Sequence, residues 1–153
     1  MPGIILFITA MPINGLNVNY STVDRILQNI HHPNEYEIYY SGQDTGKNDD
    51  FLIQAVENRW TITIFHRKKQ NESFIYLGKA DSQKIIKNRN SVKGEKSHPR
   101  ERLQLHFIIN HALNIKIPRL PHIQGSGKYK KDVFAYLNLP LNICHMNGFY
   151  KID

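Results

Sequence analysis

The sequence predicts one mainly β domain of the α+β class, with a few short helices, folded as a partly open pseudobarrel. Three observations predict it. Runs rich in Val, Ile, Phe, Tyr and Thr between turn residues number about seven, against about three stretches with helical spacing. Strands and helices do not alternate regularly, as a parallel α/β sheet would require. The chain has 153 residues, 41% of them hydrophobic and 22% charged. That is enough for one core and too little for two, so residues 1–153 are read as a single domain. Many short strands bury their edges most simply by curling into an open barrel.

The elements follow in order. Residues 3–8, Gly-Ile-Ile-Leu-Phe-Ile, form a buried strand, which Met11-Pro12-Ile13-Asn14-Gly15 ends in a turn. Ser21-Thr22 offers an N-cap and Asp24 suits a first helical turn. Val23, Ile26, Leu27 and Ile30 recur at helical spacing, which predicts a helix stopped by His31-His32-Pro33. Glu35 to Tyr40 alternates as a strand. Asn48 or Asp49 caps a helix through Glu57 whose buried side is Phe51, Leu52, Ala55 and Val56. Trp60 to Phe65 is an amphipathic strand, Lys68 to Asn71 a turn, and Phe74 to Leu77 the returning strand, with Gly78 suited to a bulge. A short strand then leads from Lys84 into an exposed loop that ends at His98-Pro99. Leu103 to Ile109 is a strand, 114–122 an extended connector, and Gly125-Ser126-Gly127 a turn or hinge. Lys128 to Asn138 is a helix, and Leu139 to His145 pairs with Phe149 to Ile152 around Asn147-Gly148.

The central stretch reads Ser41-Gly42-Gln43-Asp44-Thr45-Gly46-Lys47-Asn48, an apolar helix, Trp60-Thr61-Ile62-Thr63-Ile64-Phe65, then Phe74-Ile75-Tyr76-Leu77-Gly78-Lys79-Ala80. In this order it resembles the DNA-reading modules of bacterial restriction systems in the B-three pseudobarrel group. It is also similar to the SRA readers of modified cytosine, whose Tyr-Asp-Gly signature stands here as Tyr76-Leu77-Gly78. The resemblance covers residues 41–80, in pattern more than identity. It implies a double-stranded DNA-binding domain that reads sequence or modification. Such a domain is the targeting module of a restriction endonuclease, working with a nuclease or NTPase domain or subunit and carrying no catalysis itself.

Charge agrees with a polyanionic partner. The net charge is +7 and the isoelectric point about 9.5, which favours nucleic acid or acidic surfaces. Cations on loops can grip phosphates and reach base edges. The first such set is Arg89, Lys93, Lys96, Arg100 and Arg102, with Asn90 beside it. The second is Arg59, Arg67, Lys68 and Lys69, at the near end of the hairpin. The third is Lys128, Lys130 and Lys131, where a helix start adds backbone N–H donors. Tyr40, Gln43, Lys47 and Asn48 in and beside the glycine loop complete the expected DNA-binding residues. Tyr36, Tyr39, Trp60 and Tyr76 also offer faces to a base, although strand aromatics usually pack in cores.

Other chemistries find less support. Residues 42–48 are one short of Gly-x4-Gly-Lys-Ser/Thr, and Asn48 stands where a magnesium-binding hydroxyl belongs. Eight histidines show no metal-site spacing, His106 and His111 being five apart rather than four. No metal, cofactor or catalytic residue is assigned. Two alternatives stay open: a small metal-dependent nuclease using Asp50 and Glu57, which share a helix face, and an RNA or single-strand binder. Cys144 is the single cysteine; it is expected to be a buried small hydrophobe in a reducing compartment. The apolar run 4–8 is far shorter than the roughly 20 residues of a membrane span and has no cationic leader, so a cytoplasmic protein is expected.

Overall fold

The computed structural model describes residues 2–14, 24–43, 45–88, 102–117, 126–140 and 142–153. Eleven strands and two helices occur among them, in the order β1 Gly3–Thr9, β2 Ile13–Asn14, β3 Arg25–Gln28, β4 Tyr36–Ser41, α1 Asp49–Glu57, β5 Thr61–Arg67, β6 Ile75–Lys79, β7 Ser82–Asn88, β8 Arg102–Ile109, β9 Ile115–Lys116, α2 Ser126–Tyr136, β10 Ile143–Met146 and β11 Phe149–Ile152. The domain is therefore mainly β with two described helices. Its strands form two sheets rather than a closed barrel. A six-stranded sheet runs β10-β11-β1-β5-β6-β9 and a five-stranded sheet runs β2-β3-β4-β8-β7.

The core follows from the side-chain period of a strand. Ile4, Leu6 and Ile8 of β1 and Ile62 and Ile64 of β5 point to one face of the six-stranded sheet. There they meet Ile26, Ile38, Tyr40, Leu105 and Phe107 of the five-stranded sheet and Leu52 and Ala55 of α1. The intervening Ile5, Phe7 and Phe65 point the other way, onto Val133 and Phe134 of α2. The six-stranded sheet is thus covered on both sides. This explains why its parallel centre, β1 beside β5, reads as continuous apolar sequence. It also corrects the amphipathic reading of β5, because Thr63 is buried.

Two glycines fulfil the turn chemistry expected of them. Gly78 has φ +107° and lies where the β5–β6 register shifts after Ile64, which is a bulge. Gly148 has φ +94° in the β10–β11 turn. A Cβ there would meet Gln43 Nε2, the end of a flexible side chain that can move aside, so it is the positive φ that demands glycine.

Several expectations are overturned. Within the helix anticipated over Ser21–Ile30, Arg25–Gln28 is instead strand β3, antiparallel to β4 with Ile26 opposite Ile38. Its apolar residues at 23, 26, 27 and 30 fit the helical period, and pairing with β4 overrides it. Ile13 and Asn14 are a strand beside β3 rather than a turn. Helix α2 starts at Ser126, inside the anticipated hinge, and ends at Tyr136. Cys144 is exposed, because among the described strands β10 is an edge paired with β11 alone. No helix among the described residues is long and apolar enough to cross a membrane.

Candidate nucleic-acid interface

Because β1 and β5 run parallel in register, Thr9 and Arg67 finish side by side. Arg67 donates from Nε to Thr9 Oγ1 at 2.9 Å and from Nη2 to Gln70 Oε1 at 3.0 Å. Its guanidinium lies 4.3 Å over the Phe74 ring. Phe7 precedes Thr9 by two residues and shares its face of β1, while Ile8 between them points into the core between the sheets. The Phe7 ring stacks on Phe65 with centroids 4.5 Å apart and meets Phe74 edge-on at 4.9 Å.

Helix α2 brings the second cation. Lys130 Nζ lies 4.8 Å from the Phe7 centroid and 5.4 Å from that of Tyr150. Burial lowers the Lys130 pKa below the ordinary lysine value, and the charge of Arg67 lowers it further. Among the described residues no carboxylate pairs with Lys130. Lys68 and Lys69 are exposed in the turn after β5, and Lys116 is exposed on β9, paired with Ile75. Sequence reasoning misses Lys116, because a lone lysine in a proline-bounded connector carries no signal. His66, buried at the same strand end, donates from Nε2 to the Ala10 carbonyl at 2.8 Å.

The structure thus joins part of the second expected cluster to part of the third. It also divides the second. Arg59 precedes β5 and Arg67 ends it, so the length of the strand, roughly 20 Å, stands between them. Arg59 is exposed with φ +52°, and Lys131 is exposed on α2. Tyr40 is 3% exposed and donates its hydroxyl to the Gly148 carbonyl, which leaves it no open face. Gln43 lies against Gly148. Lys47 is exposed, and Asn48 is the N-cap of α1 with φ +65° and no side-chain capping bond. Tyr36 is 8% exposed, and Tyr76 stacks on Phe65. Trp60 is half-buried against the core. Arg89, Asn90, Lys93, Lys96 and Arg100 lie outside the described residues, as do the side chains of Arg102 and Lys128.

No family model, curated protein or solved structure matches this chain.

A second polar region escapes the sequence reading. The outer face of the five-stranded sheet carries a row from Arg25 through Tyr39 to His106 and Lys84, set by strand register. The Arg25 guanidinium lies 4.3 Å over the Tyr39 ring. Tyr39 stacks on His106 with centroids 4.5 Å apart and planes 24° from parallel. The Tyr39 hydroxyl and His106 Nε2 both donate to Glu37 Oε1, at 2.9 and 2.7 Å. In the next row Gln104 Nε2 donates to Ser41 Oγ at 3.0 Å. A signal is present: Glu37 and Tyr39, and Gln104 and His106, alternate with core residues in two expected strands. Arg25 is hidden because its segment reads as a helix. On α1, Asp50 and Glu57 are exposed, and no group of three metal-ligating side chains comes together among the described residues.

Proposed function

We propose that this chain binds double-stranded DNA as the targeting module of a restriction system, gripping phosphates and performing no chemistry itself. In this reading the two sheets are the halves of a partly open pseudobarrel of the B-three or SRA kind. The module acts in the cytoplasm beside a nuclease or NTPase domain or subunit. One observation carries the reading: Arg67 and Lys130, distant in sequence, share a wall of aromatic rings, and Lys130 has no acidic partner among the described residues. Two neighbouring cations repel each other, and a phosphate between them would relieve that repulsion. The exposed Lys68, Lys69 and Lys116 extend the same end of the sheet.

The test is a titration of a duplex and of its separate strands at several salt concentrations. Duplex affinity is expected to fall steeply with salt, as phosphate contacts release counterions. Lys130→Ala and Arg67→Ala should each weaken binding and reduce the salt slope by about one. Arg59→Gln, at the far end of β5, should change it less. Absent or salt-independent association overturns the proposal. Tighter binding to the separate strands overturns the duplex assignment in favour of a single-strand binder.

A further inference from the structure

A groove of about 590 Å³ opens on the outer face of the five-stranded sheet. Its floor follows from register: Leu27, Glu37 and Ile108 lie in one cross-strand row. Ile30 and Glu35, from the turn between β3 and β4, line it as well, together with Asn110. Apolar surface and carboxylates therefore share one concave wall. Gln28, Asn29, His31 and Tyr36 complete the described lining, which holds no lysine or arginine, although the chain carries a net charge of +7.

Glu37 is fixed by two donors. Oε1 accepts from the Tyr39 hydroxyl and from His106 Nε2. Tyr39 is sandwiched between the Arg25 guanidinium and the His106 ring. The side chain of Glu37 keeps 42% of its exposure, and among the described residues Oε2 has no hydrogen-bond partner. A carboxylate fixed through one oxygen and open through the other is arranged for a ligand that donates. Glu35 adds a second carboxylate, steadied by Asn29 Nδ2 at 3.0 Å.

We infer that this groove binds a small organic cation with a flat apolar body, its amidinium or ammonium donating to Glu37 and its body resting on Leu27, Ile30 and Ile108. Charge complementarity chooses the occupant: an anion would meet two carboxylates, and a neutral apolar molecule would leave the exposed Glu37 oxygen desolvated without a donor. The volume lies in the range of small-molecule sites. The inference does not rest on the DNA reading.

Three probes of one shape decide it: benzamidine (cationic), benzamide (neutral) and benzoate (anionic), titrated by protein-observed NMR. Benzamidine is expected to bind saturably and to shift Leu27 and Ile108. Benzamide should bind at least tenfold more weakly, and benzoate should not bind. Glu37→Gln keeps an acceptor for Tyr39 and His106 and should weaken benzamidine at least tenfold. Ile30→Lys, at a side chain 63% exposed, leaves the fold undisturbed and places a repelling charge at the rim. It should weaken benzamidine too, and it decides the matter should the Glu37 variant prove unfolded. Unsaturable benzamidine binding, equal binding of benzamide, or variants that bind as the native chain does would each overturn the assignment. Duplex affinity is measured alongside; its retention in both variants shows that the groove and the cationic wall are separate.

Discussion

The two polar regions treat charge in opposite ways. At the end of β5, Arg67 and Lys130 rest on aromatic rings, and Lys130 has no acidic partner among the described residues. On the five-stranded sheet, Glu37 is tied by two donors and backed by an arginine stacked on one of them. A ring face attracts a cation without neutralising it, so the charge stays available to a further partner. A carboxylate that accepts two hydrogen bonds is part of a network, and its removal strands the donors. The first arrangement leaves a partly desolvated charge without a described acidic partner, at a cost in stability. The second uses a charge to hold a sheet face in order.

The largest expected effect breaks the cationic side through its support. Phe7→Ala removes the ring beneath Lys130 and a stacking partner of Phe65. Loss of a packed aromatic costs about 3 kcal/mol, read as a lowered denaturant midpoint. Phe7→Leu restores most of the volume but not the ring face, and should recover most of the stability while polyanion affinity stays reduced. Full recovery of affinity in the leucine variant would show that the ring holds Lys130 by shape alone.

Next in size is Glu37→Ala. Tyr39 and His106 lose their shared acceptor, one of them 8% exposed. A cost of about 1–2 kcal/mol is expected, moderated by water reaching this half-exposed site. Lys130→Met sharpens the contrast. It keeps the apolar stem against Phe7 and removes the partly desolvated charge, so the melting temperature should hold or rise while duplex affinity falls. A melting temperature that drops as far as in Glu37→Ala would erase the distinction between the two regions.

How much of this is legible in the sequence depends on whether a residue period can be read without the tertiary partner. Strands β4 and β8 announce themselves by alternation, and the Asn147-Gly148 hairpin by its turn chemistry. Segment 24–28 does not, because successive residues of β3 are buried on both of its faces: Ile26 in the core, and Arg25 and Leu27 on the opposite side. A four-residue run buried on both sides has no period to read. The cations are visible in composition, but their grouping is not. Arg59 and Arg67 are close in sequence yet separated by an extended strand, whereas Arg67 and Lys130 are far apart and meet through the packing of α2 on the six-stranded sheet.

The smallest effect concerns His66, the histidine on the cationic side. It is 4% exposed. Burial lowers its pKa from the ordinary 6.5, the hydrogen bond to the Ala10 carbonyl partly opposes this, Lys68 lowers it further and Glu72 raises it. With the folded value depressed, the unfolded chain takes up the proton first as the pH falls. The stabilisation is therefore complete above the unfolded value and is lost as the pH falls through the folded one. Melting temperatures measured from about pH 8 to about pH 5 should fall more steeply in the native chain than in His66→Gln, which keeps a donor for Ala10 but does not titrate. The two curves should run parallel above about pH 7 and converge below the ordinary histidine value. Curves that stay parallel throughout would mean that His66 is protonated as readily in the fold as outside it, and that its burial does not disfavour the charged ring.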